Sequence, residues 1–377
     1  MYGDSAVELT KELVRIESFS VKGKQKITEF MYRKILNETD ADVRIIGRDT
    51  ENPYVIAHYK NGEGCRLLLQ GHLDTVSPGD MNEPLNPVEK DGAIYGRGSC
   101  DMKAGCACNY MAFKYACDHH LKGEVYLMYS TDEETYAQQT VDAFEKGLLP
   151  VCDLAVIPEP TSQNLMAAQK GNAWIKVTFF GRSAHASMPE TGENAIYMAV
   201  EFINQFKKFT AEKYIRNTHP LLGQAKMNVG MIEAGTEANS VPAECSIVID
   251  KRYLPNENIT DFQEEIDIVA EEVKRTYPAF NYQADVIVDC TPMEIDRESE
   301  KFISVKKVLE ETLGRQIEVG VFGGWGEGGT LDKYQTDTIY FGPGSNAFAH
   351  TAEERVGVQA VKEVTDGIIA VLNNKCR

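Results

Sequence analysis

EVYLMYSTDEETY, residues 124–136, runs from an apolar segment straight into three adjacent acids, Asp132, Glu133 and Glu134. Val125 to Tyr129 is an unbroken apolar run, the pattern of a strand covered on both faces. Three neighbouring carboxylates repel one another, and each costs free energy when taken out of water without a partner. A cation is the simplest thing that could hold them at the end of such a strand. On either side the same grammar repeats. CRLLLQG (65–71) and CDLAVIPE (152–159) read as further strands, with helices over Met102 to Cys117 and over VDAFEKGLL (141–149) between them. Strands alternating with helices require crossover connections, so the class is α/β with a mostly parallel central sheet.

From about Ala173 the order changes. WIKVTFF, KMNVGMIEA, ECSIVIDKRY and YQADVIV read as strands, and ENAIYMAVEFINQF and TDFQEEIDIVAEEVKRTY as helices. The sequence β, α, β, β, α, β is that of a ferredoxin-like α+β unit. After Cys290 the helix SEKFISVKKVLEETLG, a glycine-rich stretch, the strand DTIYFG and the helix VGVQAVKEVTDGIIAVLNN return to the first pattern. The expected organisation is therefore one α/β domain, residues 1–172 and 290–377, interrupted by a second, 173–289. A length of 377 residues suits two cores better than one.

The net charge of −18 argues against a nucleic-acid surface, which needs clustered Lys and Arg. No apolar run is long enough to span a bilayer, so no membrane partner is expected. MYGDSAVELTKELVRIESFS mixes acids with apolar residues at helical spacing; it reads as an amphipathic helix rather than a signal peptide, and the expected location is cytoplasmic. Nine scattered cysteines point to reduced thiols rather than a disulfide framework, with Cys106, Cys108 and Cys117 as helix core.

Metal-capable side chains fall just past the strands. His72 and Asp74 follow the first; Glu133 and Glu134 follow the second; Glu159 follows the third; His350 lies after TIYFG. In an open α/β sheet, ligands bind beyond the carboxyl ends of the strands. Asp101, in GRGSCDMKAG, opens a helix, where an Asp is commonly an N-cap; the other acids and imidazoles at the same edge favour a ligand instead. Asp74 is spaced to hold the His72 ring in one tautomer. His119 and His120 read as charges at a helix end. Imidazoles with carboxylates and no thiolate suit zinc, with cobalt or manganese as substitutes. The two imidazoles with Asp101, Glu134 and Glu159 exceed one tetrahedral ion, whereas two ions about 3.5–4 Å apart, sharing a carboxylate and a hydroxide, use all five.

GHLDTV, GRGSCDMKAG, STDEETY, IPEPT and NAFAHTAEERV together resemble the signature of the di-zinc metallopeptidase and amidohydrolase family that includes acetylornithine deacetylase, succinyl-diaminopimelate desuccinylase, glutamate carboxypeptidase and aminoacylase. The resemblance implies a zinc-peptidase-like catalytic domain carrying a lid and dimerisation insert. It assigns His72 and Glu159 to one zinc, Glu134 and His350 to the other, and Asp101 to both, with Glu133 as general base and Asp74 beside His72. It also implies hydrolysis of an amide by the shared hydroxide. His185, in GRSAHASMPETGENAI, matches a His that reaches the partner subunit's active site in a homodimer. Asn239 and Arg252, in GTEANSVPAECSIVIDKRY, match residues binding a substrate carboxylate, and a planar guanidinium suits that task. FGGWGEGGTLDKYQ departs from the family, with Leu331 between Thr330 and Asp332 and Lys333 in place of Arg. Gly328 and Gly329 still permit close backbone approach to a ligand. The expected substrate is a small N-acyl amino acid with a free carboxylate; a di- or tripeptide, a carboxypeptidase substrate, or a non-catalytic binding role are the alternatives.

Overall fold

The segment at 124–130 is a strand, Gly123–Ser130, in the computed structural model, which describes residues 1–135 and 137–376. Leu127, Met128 and Tyr129 are consecutive and fully buried, as are Leu68 and Leu69 in the neighbouring strand Arg66–His72. Successive side chains point to opposite faces, so both faces of the sheet are covered. The two strands pair in parallel, and Leu154–Ile157 and Thr338–Tyr340 extend the parallel block. All four end at the same rim.

Beyond this block the sheet is antiparallel. Asp42–Ile46 and Tyr54–Asn61 form a hairpin that joins Gly123–Ser130 on one side, and Leu165–Gln169 joins Thr338–Tyr340 on the other. Among the described residues the sheet has nine strands and is mixed. The expected parallel character holds for its centre. At the edge, the connection from Ile46 to Tyr54 is too short for a crossover, and a short loop closes an antiparallel pair. The helix expected over 141–149 runs Gln139–Glu145 and stops before Gly147, whose φ of +66° ends it.

The helix Lys103–Asp118 is buried on nearly every side, against Tyr2–Val14, Val358–Lys375 and the strand Arg66–His72. Cys106, Cys108 and Cys117 are core residues in it, and all nine cysteines are free thiols. Gly105 lets this helix touch the turn after Leu154–Ile157: a Cβ there would drive into the Pro158 carbonyl oxygen. Gly105→Ala is therefore expected to lower stability by about 1–3 kcal/mol, since backbone must move to admit the methyl. A thermal melt checks the loss.

The chain divides into two units, one of Met1–Ala168 with the chain from Met293 onward, the other Gln169–Pro292. The second unit has a four-stranded antiparallel sheet in the order Lys226–Ala234, Glu244–Tyr253, Gly171–Phe180, Tyr282–Cys290. Helices Ala195–Arg216 and Ile259–Thr276 pack with it around Phe179, Phe202, Phe206, Phe262 and Phe280. Asn194 caps the first helix, and an Asn258/Asp261 capping box starts the second. This is the ferredoxin-like arrangement. No helix among the described residues is long and apolar enough to cross a membrane.

Candidate metal centre

His72 is the last residue of the strand Arg66–His72, and its ring is 1% exposed. Its Nδ1 lies 3.1 Å from the Asp74 carbonyl oxygen and 3.5 Å from Asp74 Oδ1. Oxygens of this kind only accept, so Nδ1 carries a proton and a neutral ring presents the lone pair of Nε2. Nε2 faces three carboxylates: Asp101 Oδ1 at 3.2 Å, Glu159 Oε1 at 3.6 Å and Glu133 Oε2 at 3.7 Å. A lone pair aimed at three anions is repulsive unless a proton or a cation lies between them.

Asp101 extends the cluster to the second imidazole. Its Oδ2 is 3.3 Å from His350 Nε2, which is also 3.2 Å from Glu134 Oε1. The helix that follows starts at Lys103 with no side-chain cap, so Asp101 is not serving as its N-cap. Instead the Cys100 and Asp101 N–H groups donate to Glu354 Oε1 at 3.0 and 3.1 Å, and the other Glu354 oxygen pairs with buried Arg97. His350 sits at φ +61°, a conformation uncommon outside glycine and often found where function fixes the backbone. Its loop is braced by Arg355, whose guanidinium lies 3.7 Å from the Phe348 ring centre.

The three consecutive acids separate. Asp132 turns inward and accepts the Gln138 and Gln139 N–H groups at 2.8 and 3.1 Å, starting the helix Gln139–Glu145. Burial, with the charge of Glu327, pushes its carboxyl up to about 7. Glu133 and Glu134 face the imidazoles. Ligand atoms of His72, Asp101 and Glu159 lie within 4.8 Å of one another, as do those of Asp101, Glu134 and His350, and those of His72, Glu133 and Glu134. Asp101 alone belongs to both of the first two groups, with one oxygen toward each imidazole.

The charge balance is strained without a cation. Burial, then the neighbouring acids, hold the Glu133 and Glu159 carboxyls well above the usual range. Burial opposes protonation of His72, but Glu133, Asp101, Asp74 and Glu159 outweigh it and hold the ring well above its ordinary value. Hydrogen bonds to Asp101 and Glu134 raise His350 to about 10. A histidine raised in the folded state stabilises the fold below its unfolded value of about 6.5 and ceases to do so as the pH passes its folded value. The raised carboxyls act in the same direction. Metal-stripped protein should therefore lose Tm steadily between about pH 6.5 and 10, and His350→Ala should flatten that decline.

Residues 167–278 match the peptidase dimerisation domain family. A metallohydrolase of Methanocaldococcus jannaschii described as uncharacterized is 25% identical over 98% of this chain and 99% of its own length. A probable succinyl-diaminopimelate desuccinylase of Staphylococcus epidermidis is 24% identical over 92% of each chain. Aminopeptidase PepT from Bacillus cereus superposes with a TM-score of 0.78 at 19% identity, covering 100% of this chain and 99% of the other. A dinuclear metal binding peptidase of the M20 family from Bacillus subtilis gives a TM-score of 0.71 at 14% identity, covering 100% and 99%. Over nearly its whole length the chain is similar to metallohydrolases, and its insert to the peptidase dimerisation domain. It is a metal-dependent hydrolase.

A divalent cation fits the donor set here. Two imidazoles and carboxylates converge, no thiolate joins them, and buried Asp101 Oδ1 and Asp74 Oδ1 have no hydrogen-bond partner. Two buried acids of this chain were invisible in the sequence. Glu354 fixes the backbone of Asp101, as described. Glu327, 1% exposed, accepts from Gln70, Ser130 and Thr140 and ties the ends of two central strands together under the cluster. A lone Glu among glycines was the available signal for Glu327. Glu354 had none beyond lying four residues past His350.

At Gly328 the close approach is to protein. Gly328 and Gly329 start a short buried helix, Gly328–Lys333; the Gly328 N–H donates to the Tyr340 hydroxyl at 2.9 Å, and a Cβ on Gly328 would strike that ring. Within the insert, His185 is exposed, with Nδ1 2.8 Å from Ser187 Oγ, and the next residue's N–H donates to the Asn239 carbonyl at 3.0 Å. His185 and Asn239 thus share one loop cluster. Arg252 is held through Nε and Nη2 by Asp250, at 2.9 and 3.1 Å.

Proposed function

We propose that this chain is a di-zinc amidohydrolase that removes the acyl group from a small N-acyl amino acid, with His72 and Glu159 on one ion, Glu134 and His350 on the other, and Asp101 shared. The observation that carries the ligand set is the Asp101 carboxylate, with oxygens 3.2 and 3.3 Å from two different imidazoles. Imidazole and carboxylate donors suit zinc, with cobalt or manganese able to replace it. Bound ions supply polarisation of the scissile carbonyl and a more acidic water. Glu133, beside but outside the two groups that share Asp101, takes the proton from the attacking water and returns it to the leaving nitrogen. Asp74 holds His72 with Nε2 toward the ions.

The relatives described as probable desuccinylases favour an N-acyl amino acid with a free carboxylate. Asn239 and Arg252 are the residues proposed to bind that carboxylate, which would take the place Asp250 now holds on Arg252. Gly328 and Gly329 are proposed to let the backbone of their loop come close to the substrate. The match to a dimerisation domain supports a homodimer through the insert; His185 is proposed to serve the partner's site, and the enzyme to be cytoplasmic. The fold is also that of a tripeptidase and a metallo-carboxypeptidase, which keeps a peptidase as the second reading. Zinc-loaded protein should release amine from succinyl-diaminopimelate or acetylornithine faster than from di- and tripeptides; the reverse order would establish the peptidase. Binding of all of them without turnover would overturn both.

A further inference from the structure

Cys65 and Cys376 lie away from the metal centre. Cys65 immediately precedes the strand Arg66–His72, about 20 Å along it from His72. The two Sγ atoms are 3.4 Å apart, and Cys65 Sγ also donates to the Lys375 carbonyl at 3.0 Å. Of the nine thiols, Cys65 alone is partly exposed, and the other eight are buried. It opens onto a cavity of ≈ 450 Å³, lined also by Asp153, Lys301, Ser304 and Lys375. Cys376 is 3% exposed and sits behind it. An accessible thiol backed by a buried one at contact distance is the arrangement of an attacking and a resolving cysteine.

We propose that Cys65 and Cys376 form a thiol–disulfide exchange site that takes a low-molecular-weight disulfide of the glutathione disulfide class and closes to an intramolecular disulfide. In the first step Cys65 loses its proton to solvent and its thiolate attacks one sulfur of the small disulfide. The S–S bond breaks, one small thiolate leaves and is protonated, and Cys65 carries a mixed disulfide. In the second step Cys376 gives up its proton, attacks the Cys65 sulfur and expels the other half as a second small thiol. Two protein thiols are oxidised and one small disulfide is reduced to two thiols, so atoms and electrons balance.

The roles follow from the surroundings. The hydrogen bond with Cys376 lowers the Cys65 thiol, against burial and the Asp153 charge, with the smaller effect of the Lys375 charge acting in the same direction as the hydrogen bond. The same contact, followed by burial, raises Cys376. Closing the bond asks the sulfurs to approach by about 1.4 Å, from 3.4 Å to the S–S length of about 2.0 Å. The link would fasten the end of the helix Val358–Lys375 to the strand that delivers His72. It spans 311 residues of sequence, and a cross-link over so long a loop restricts the unfolded chain strongly.

The test is to incubate folded protein in graded glutathione disulfide and glutathione, quench in acid, alkylate, and map peptides without reduction. The expected product joins Cys65 to Cys376 with the other seven thiols alkylated, and it raises Tm by about 3 °C or more. Cys376→Ser should hold a stable glutathionyl group on Cys65, and Cys65→Ser should take up none. Neither variant should alter hydrolysis by the reduced enzyme. No cross-link in folded protein, a cross-link only after denaturation, or a glutathionyl group that persists on Cys65 of the unsubstituted chain would each overturn the proposal.

Discussion

Replacing Glu133 with glutamine is expected to lower kcat by about 10²–10⁴-fold while leaving both metals bound. The side chain keeps its shape, so the cluster is not reshaped; what is lost is the capacity to hold a proton. Glu133 Oε2 stands 3.7 Å from His72 Nε2, close enough to reach a water held near the imidazole. Burial pushes its carboxyl well above the usual range, which brings a carboxylate closer to the basicity that proton transfer near neutral pH requires. KM should change little, because the lost interaction belongs to the transition state rather than to substrate binding. Metal analysis distinguishes this role from the other grouping in which Glu133 sits with His72 and Glu134. If glutamine at 133 empties one site, Glu133 is a ligand; if activity is retained in full, it is not the base.

The rim that gathers the candidate ligands was legible because strand ends carry their chemistry in sequence order. Apolar runs ending in GHLD, STDEE and IPEP specify both the strand and what is delivered at its carboxyl end, and the parallel pairing brings those ends together. The antiparallel hairpin Asp42–Ile46 and Tyr54–Asn61 was not legible, since its place was decided by pairing with Gly123–Ser130, far along the chain. The same physics hid Glu354 and Glu327. Glu354 accepts backbone N–H groups more than 250 residues earlier, at Cys100 and Asp101, and Glu327 accepts a hydroxyl 197 residues earlier, at Ser130. A buried carboxylate is defined by its partners, and nothing local to either residue names them. Asp132 shows a subtler limit. It has the same chemistry as Glu133 and Glu134, and only the turn of the backbone decides that it starts a helix while they face imidazoles.

Asp101→Asn should have the larger effect, because it removes one charge from both groups at once. The asparagine side chain offers one oxygen and one N–H₂ group, so it can face one imidazole as an acceptor but presents donors to the other. The expected result is loss of at least one of two metals per chain and a fall in hydrolysis of about 10³-fold or more, since one oxyanion-stabilising group alone is worth about that much. The fold should survive. Glu354 still receives the N–H groups of residues 100 and 101 and still pairs with Arg97, none of which involves the Asp101 side chain. Metal-stripped variant and parent are separable as well: without Asp101, His350 loses the first of the two hydrogen bonds that raise it, so its charge should be lost at lower pH. An NMR titration of the His350 ring in stripped protein reads that shift directly. Two metals retained at unchanged affinity in Asp101→Asn would show that the carboxylate does not join the sites, and the pairing of His72 with His350 around it would then need another explanation.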